Sequence, residues 1–153
     1  MSAAESGEPV GARHVAELSL IVEAGAGRTI AYLADPTHRP AWQSSLRSVA
    51  DVVPAPDGAS GVGTTWTDVT VVPGIRPRMR TTESEPLAWG EVGSFGPFDA
   101  ALSLEVVPLA ATRCRIDARF VVTGVPVVAR ILTLIARPAV ASDLRRAGRL
   151  LAH

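Results

Sequence analysis

The sequence predicts an α+β fold in which a curved antiparallel sheet of seven strands is closed by one long C-terminal helix. Short alternating runs recur between Pro- and Gly-rich turns from Val15 to Val122, the spacing of an antiparallel meander. After Gly124 the apolar period changes to a helical one that lasts to Leu151. A rigid segment, Asp35-Pro36-Thr37-His38-Arg39-Pro40-Ala41-Trp42, separates the first strand pattern from the rest. Its two prolines donate to no ladder and turn the preceding residues away from helix, so it holds Trp42 in place.

In chain order, Val15–Val22 alternates as a strand and is broken by Gly25-Ala26-Gly27. Arg28–Ala34 puts Ile30, Leu33 and Ala34 on one helical face and stops at Asp35-Pro36. A short turn is expected over Ala41–Leu46. Strands follow at Arg47–Val53, Thr64–Val72, Arg78–Glu83, Trp89–Phe95, Asp99–Val107 and Arg113–Val122, punctuated by Pro54–Gly58, Pro73-Gly74, Pro86, Gly96-Pro97 and Leu109–Ala111. In the last strand Cys114, Ile116, Ala118, Phe120 and Val122 alternate with Arg113, Arg115, Asp117, Arg119 and Val121, one dry face and one wet. The closing helix places Val128, Ile131, Leu132, Ile135 and Ala139 on one face, continued by Leu144, Ala147, Gly148 and Leu151. Pro138 is expected to kink or split it.

The chain has 153 residues, 47% hydrophobic and 20% charged, the balance of one domain able to bury its own core. Residues 1–14 are expected to be a flexible tail and 15–153 a single domain. A net charge of zero leaves no electrostatic footprint for nucleic acid. All fifteen basic residues are Arg, a coding bias that suggests a GC-rich, actinobacterial source and removes lysine Schiff-base chemistry. Cys114 is the sole cysteine, so neither an intrachain disulfide nor a thiolate cluster can form, and a cytoplasmic location is expected. Met1–Glu8 has no secretion-signal pattern. Val125–Ala141 is too broken by Pro126, Arg130, Arg137 and Pro138 to be a membrane span. No His, Asp and Glu spacing suggests a metal, and no cofactor is expected.

Asp35-Pro36 with Pro40 and Trp42, Gly61-Val62-Gly63-Thr64-Thr65-Trp66, Glu85-Pro86 and the helix Val125–Leu151 together resemble the START-like, helix-grip superfamily (SRPBCC), in its bacterial polyketide cyclase/dehydratase branch. The resemblance covers Val15–Leu151 and implies a seven-stranded antiparallel sheet around a long C-terminal helix, with two short helices after the first strand. It also implies an apolar cavity that binds a hydrophobic small molecule such as a polyketide, lipid or isoprenoid. Two departures stand out: Gln43-Ser44-Ser45 follows Trp42, unlike the aromatase/cyclase subgroup, and Gly25 replaces a usual proline.

If the dry strand faces look into that cavity, Trp66, Trp89, Phe95, Leu102, Leu104, Ile116 and Phe120 line it with Trp42. From the helix, Ile131, Leu132 and Ile135 would join them. The same aromatics could instead fill the core, and Trp42 reads best as a plug between short helices and sheet. Glu91 falls in register with Trp89 and Phe95; inside, its pKa would be raised and it could act as a general acid or base, whereas a bulge at Gly90 or Gly93 would turn it to solvent. Asp68, two positions after Trp66, poses the same choice. His38 is either a titrating group at the mouth or an exposed turn residue. Asp35, His38 and Ser44 lack a nucleophile elbow and do not argue a hydrolase. Arg76, Arg78 and Arg80 either anchor a ligand carboxylate or guard an edge strand. The leading reading is ligand binding. A cyclase/dehydratase using Glu91, Asp68 or His38 is the alternative, and a partner protein using the Arg-rich helix the third. A homodimer through sheet edges or the outer helix face is compatible with this layout.

Overall fold

The computed structural model describes residues 12–152, so Met1–Gly11 of the expected tail lie outside the described residues. Strand β1 (Ala12–Val22) begins within the stretch assigned to the tail. Helix α1 (Ala26–Ala34), a 3-10 turn (Pro36–His38) and the single-turn α2 (Arg39–Trp42) lead to β2 (Leu46–Val53). Then come β3 (Thr65–Thr70), β4 (Arg78–Glu85), β5 (Ala88–Phe95), β6 (Phe98–Ala110), β7 (Arg113–Gly124) and helix α3 (Pro126–Leu151). The turn expected over Ala41–Leu46 forms earlier, because Pro40 has the fixed φ and missing N–H that suit a first helical turn.

The seven strands form one sheet in the order β1-β7-β6-β5-β4-β3-β2, every neighbouring pair antiparallel. The meander runs from β2 to β7, and β1 returns beside β7 with Ala12 opposite Gly124 and Val22 opposite Cys114. Alternation in β7 falls as predicted, with Cys114, Ile116, Ala118 and Val122 buried. In β1 the inward residues are Ala16, Leu18, Leu20 and Val22, while Val15 points outward. Gly25 has a structural reason: a Cβ there would lie 2.7 Å from the carbonyl oxygen of Ala111, so a proline would collide with the β6–β7 turn. Because β4 lies inside the sheet, Arg78 and Arg80 guard no edge and project from its outer face.

The core lies where α1 and the C-terminal half of α3 cover the sheet, around Val22, Leu33, Leu104, Ile116, Leu144 and Ala147. Gly148 lets α3 close on Val22. Helix α3 is continuous through Pro138. The bond that Pro138 forgoes would have gone to the carbonyl of Leu134, an exposed residue where solvent can take its place.

The first half of α3 departs from its expected orientation. Ala129 and Thr133 are buried there, while Val128, Ile131, Leu132 and Ile135 are exposed. Both stripes satisfy helical periodicity, and the stripe of small residues allows the closer approach to β1 and β7, the strands against which α3 packs. Ile131, Leu132 and Ile135 are therefore not cavity residues.

Candidate functional site

The proline-bracketed segment is two short helical turns that bury a cation. Asp35 caps the first, accepting hydrogen bonds from the Thr37 amide at 2.9 Å and the Thr37 hydroxyl at 2.7 Å. Pro36 and Pro40 start the two turns without unsatisfied N–H groups. Arg39, between them, points inward with 2% of its surface exposed and lies over the Trp66 ring, 5.1 Å from the ring centre.

Two carboxylates meet it from the sheet. Asp68 on β3 accepts from Arg39 Nη2 at 2.9 Å and from Arg39 Nε at 3.2 Å, a bidentate pair. It also accepts from the Trp66 indole N–H at 2.9 Å, because positions two apart on a strand share a face. Glu91 on β5 accepts from Arg39 Nη1. The irregularity considered near Gly90 is a bulge in the opposite strand, between Thr81 and Glu83 of β4, and it leaves Glu91 facing inward, opposite Thr81 and Leu102.

Two buried carboxylates thus share one guanidinium. Burial pushes the Glu91 carboxyl above the ordinary glutamate range, the Arg39 charge opposes that rise without cancelling it, and the Asp68 charge adds to it. For Arg39, burial alone would favour the neutral form, but the charges of Glu91 and Asp68 and their hydrogen bonds outweigh it and raise its pKa. Among the described residues, Glu91 accepts a hydrogen bond only from Arg39, whereas Asp68 accepts three.

Glu91, Asp68 and Arg39 form the polar end of a cavity of about 300 Å³ between the sheet and the middle of α3. Its apolar walls include Met79, Phe98, Leu102, Phe120 and Val140, with Trp42 and Gln43 beside the ion cluster. Gly93 makes room: a Cβ there would lie 2.5 Å from the Met79 sulfur. Trp42 is 2% exposed, and its indole N–H has no hydrogen-bond partner among the described residues. Larger depressions, about 750 Å³ on the charged outer face of the sheet and about 890 Å³ between β1 and α3, contain neither the ion cluster nor its cavity.

Of the residues expected in the cavity, Trp42, Asp68, Glu91, Phe95, Leu102 and Phe120 line it. Trp66, Trp89, Leu104 and Ile116 pack in the core instead, as large side chains close to the sheet's centre do. On α3 the lining comes from Ala136, Ala139, Val140 and Asp143. His38 is not at the mouth: its ring stacks on Tyr32 at 4.4 Å and its Nδ1 lies 3.0 Å from the Tyr32 carbonyl oxygen. Ser44 donates to Asp143 at 2.9 Å, so Asp35, His38 and Ser44 make no triad. Arg39 is the residue that sequence reasoning missed. The only signal lay in Asp68 and Glu91, because two acids turned inward and still charged need a buried cation, but nothing in the sequence singles out Arg39 as that cation.

Residues 13–152 match the family described as polyketide cyclase / dehydrase and lipid transport. No curated protein matches the sequence. Among solved structures, the Zhui aromatase/cyclase from Streptomyces sp. R1128 superposes with a TM-score of 0.73 at 12% identity, over 92% of this chain and 94% of that one. A START superfamily protein from Mycobacterium smegmatis gives 0.71 at 14% identity over 90% and 97%. Truncated norcoclaurine synthase from Thalictrum flavum gives 0.70 at 18% over 92% and 94%. At these identities the likeness establishes the helix-grip fold.

Proposed function

We propose, for a chain that belongs to the polyketide cyclase / dehydrase and lipid transport family, that it binds a small, largely apolar molecule in the cavity between sheet and α3. The observation that supports this reading most directly is the apolar cavity ending in a buried carboxyl with only one hydrogen bond from the described residues. At about 300 Å³ it is at the small end of ligand sites. The ion cluster narrows the ligand further. Arg39 is already held by Asp68 and Glu91, so a ligand carboxylate would be a third buried anion against one cation. The preferred polar group is neutral and donates to Glu91, and an acceptor on the same molecule would satisfy the Trp42 N–H.

A matched pair tests this: a medium-chain alcohol and the carboxylic acid of the same chain length, titrated against tryptophan fluorescence at neutral pH. The alcohol is expected to saturate the signal, and the acid to bind at least about tenfold more weakly. Equal affinity rejects the charge argument; saturation by neither rejects the binding site.

The raised pKa of Glu91 favours a second reading in which this carboxyl moves a proton on the bound molecule. Deuterium incorporation from D₂O into the α-carbon of a medium-chain 1,3-diketone, followed by NMR, would then be accelerated. In Glu91→Gln the acceleration would vanish while diketone affinity stayed nearly constant; undiminished exchange in the variant would exclude Glu91 as the proton carrier.

A further inference from the structure

The outward face of α3 changes character along its length. Over its first three turns it presents Val128, Ile131, Leu132, Leu134 and Ile135, with Leu134 69% and Ile135 60% exposed, and Val125 just before the helix is exposed as well. Arg130 and Arg137, two turns apart, flank this apolar face, and Arg145, Arg146 and Arg149 continue it beyond Pro138. All five arginines are exposed, and none makes an ion pair among the described residues. The helix's one acid, Asp143, is taken by the Ser44 hydroxyl and amide. One continuous surface is thus strongly apolar and uniformly cationic, although the whole chain has a net charge of zero.

From this combination we infer that the outward face of α3 docks on an anionic lipid surface. The apolar side chains of the first three turns would enter the acyl boundary while the arginines meet headgroup phosphates. The charge distribution selects this occupant. A second copy paired through the apolar turns about a two-fold axis would leave Arg145, Arg146 and Arg149 of both copies without a counter-charge, and a nucleic-acid backbone would leave Leu134 and Ile135 uncovered. No helix among the described residues is long and apolar enough to cross a bilayer, so the contact is a peripheral one. It involves none of the cavity's polar residues and stands independently of the ligand reading.

Flotation of the full chain with vesicles of phosphatidylglycerol and phosphatidylcholine, against phosphatidylcholine alone, tests the inference. Binding is expected to the anionic vesicles, to weaken with added salt, and to fall at least about tenfold in the double variant Ile131→Glu, Ile135→Glu. Both positions are exposed, and circular dichroism with a urea denaturation curve checks that the variant retains its fold. Absence of flotation, equal flotation with neutral vesicles, or binding that survives the double substitution each overturns the inference. So does a dimer in sedimentation velocity that the double variant converts to monomer, an outcome that would assign the face to a second copy of this chain.

Discussion

The two ends of the space between sheet and α3 are built on opposite terms. At the closed end Leu144, Ala147 and Leu151 press against Val22, Leu33 and Ile116, with large side chains at near-zero exposure. At the other end α3 turns small residues inward, leaves a cavity, and faces a buried ion cluster, while its large apolar residues look outward. The first arrangement is what hydrophobic burial produces unaided. The second gives up that burial and adds the desolvation of three charged groups. A protein selected for stability alone would fill the cavity, and the contrast supports placing the proposed binding site at the ion-cluster end.

The largest expected effect breaks the contrast at its most costly point. Arg39→Met keeps the volume of the side chain but strands Asp68 and Glu91 as two buried acids without a cation. A destabilisation of about 3–5 kcal/mol at neutral pH is expected, measured by urea denaturation. The penalty should shrink as the pH falls and Glu91, whose pKa burial already raises, accepts a proton. A variant as stable as the parent at neutral pH would mean that the ion cluster does not hold this end together.

The next substitutions compare the two halves of one helix. Leu144, fully buried, is expected to cost about 2–5 kcal/mol as Leu144→Ala, since the packed surroundings cannot collapse into the space. Leu134→Ala removes the same atoms from an exposed position and should change stability by no more than about 0.5 kcal/mol. Similar losses at both positions would show that the outward face of α3 is covered in solution.

This pair also marks how far the sequence could be read. The strand order of the meander was legible from short alternating runs separated by turns, and the two faces of β7 because charged and apolar residues alternate from Arg113 to Phe120. The orientation of α3 was not. Val128, Ile131, Leu132 and Ile135 form as good a helical stripe as Ala129, Thr133, Ala136 and Val140, and hydropathy favours the larger side chains. Only the proximity of the sheet selects the smaller ones. Glu91 and Asp68 were legible as inward-facing candidates from their register with the tryptophans. Arg39 was hidden because an arginine between two prolines in a polar turn reads as solvent-exposed, and its burial depends on strands 29 and 52 residues further on.

The subtlest effect is a pH slope, and its sign distinguishes the ion cluster from an ordinary ion pair. The folded-state pKa of Glu91 lies above its ordinary value of 4.5, so between the two the native protein holds a proton that the unfolded chain has released. Stability from this group is complete below about pH 4.5 and is lost as pH rises through the folded value, by no more than about 1.4 kcal/mol per pH unit for one proton. Glu91→Gln removes the titration and leaves Arg39 and Asp68 as a neutral pair, with the oxygen of the substituted amide still able to accept from Arg39 Nη1. The variant should match the parent in acid and exceed it as pH rises, a difference read from urea midpoints taken at successive pH values. An ordinary carboxylate stabilised by its arginine would give the opposite: a variant that loses ground as pH rises. In that case Glu91 would hold the structure together at the cavity's polar end, and proton transfer by this carboxyl would lose its physical basis.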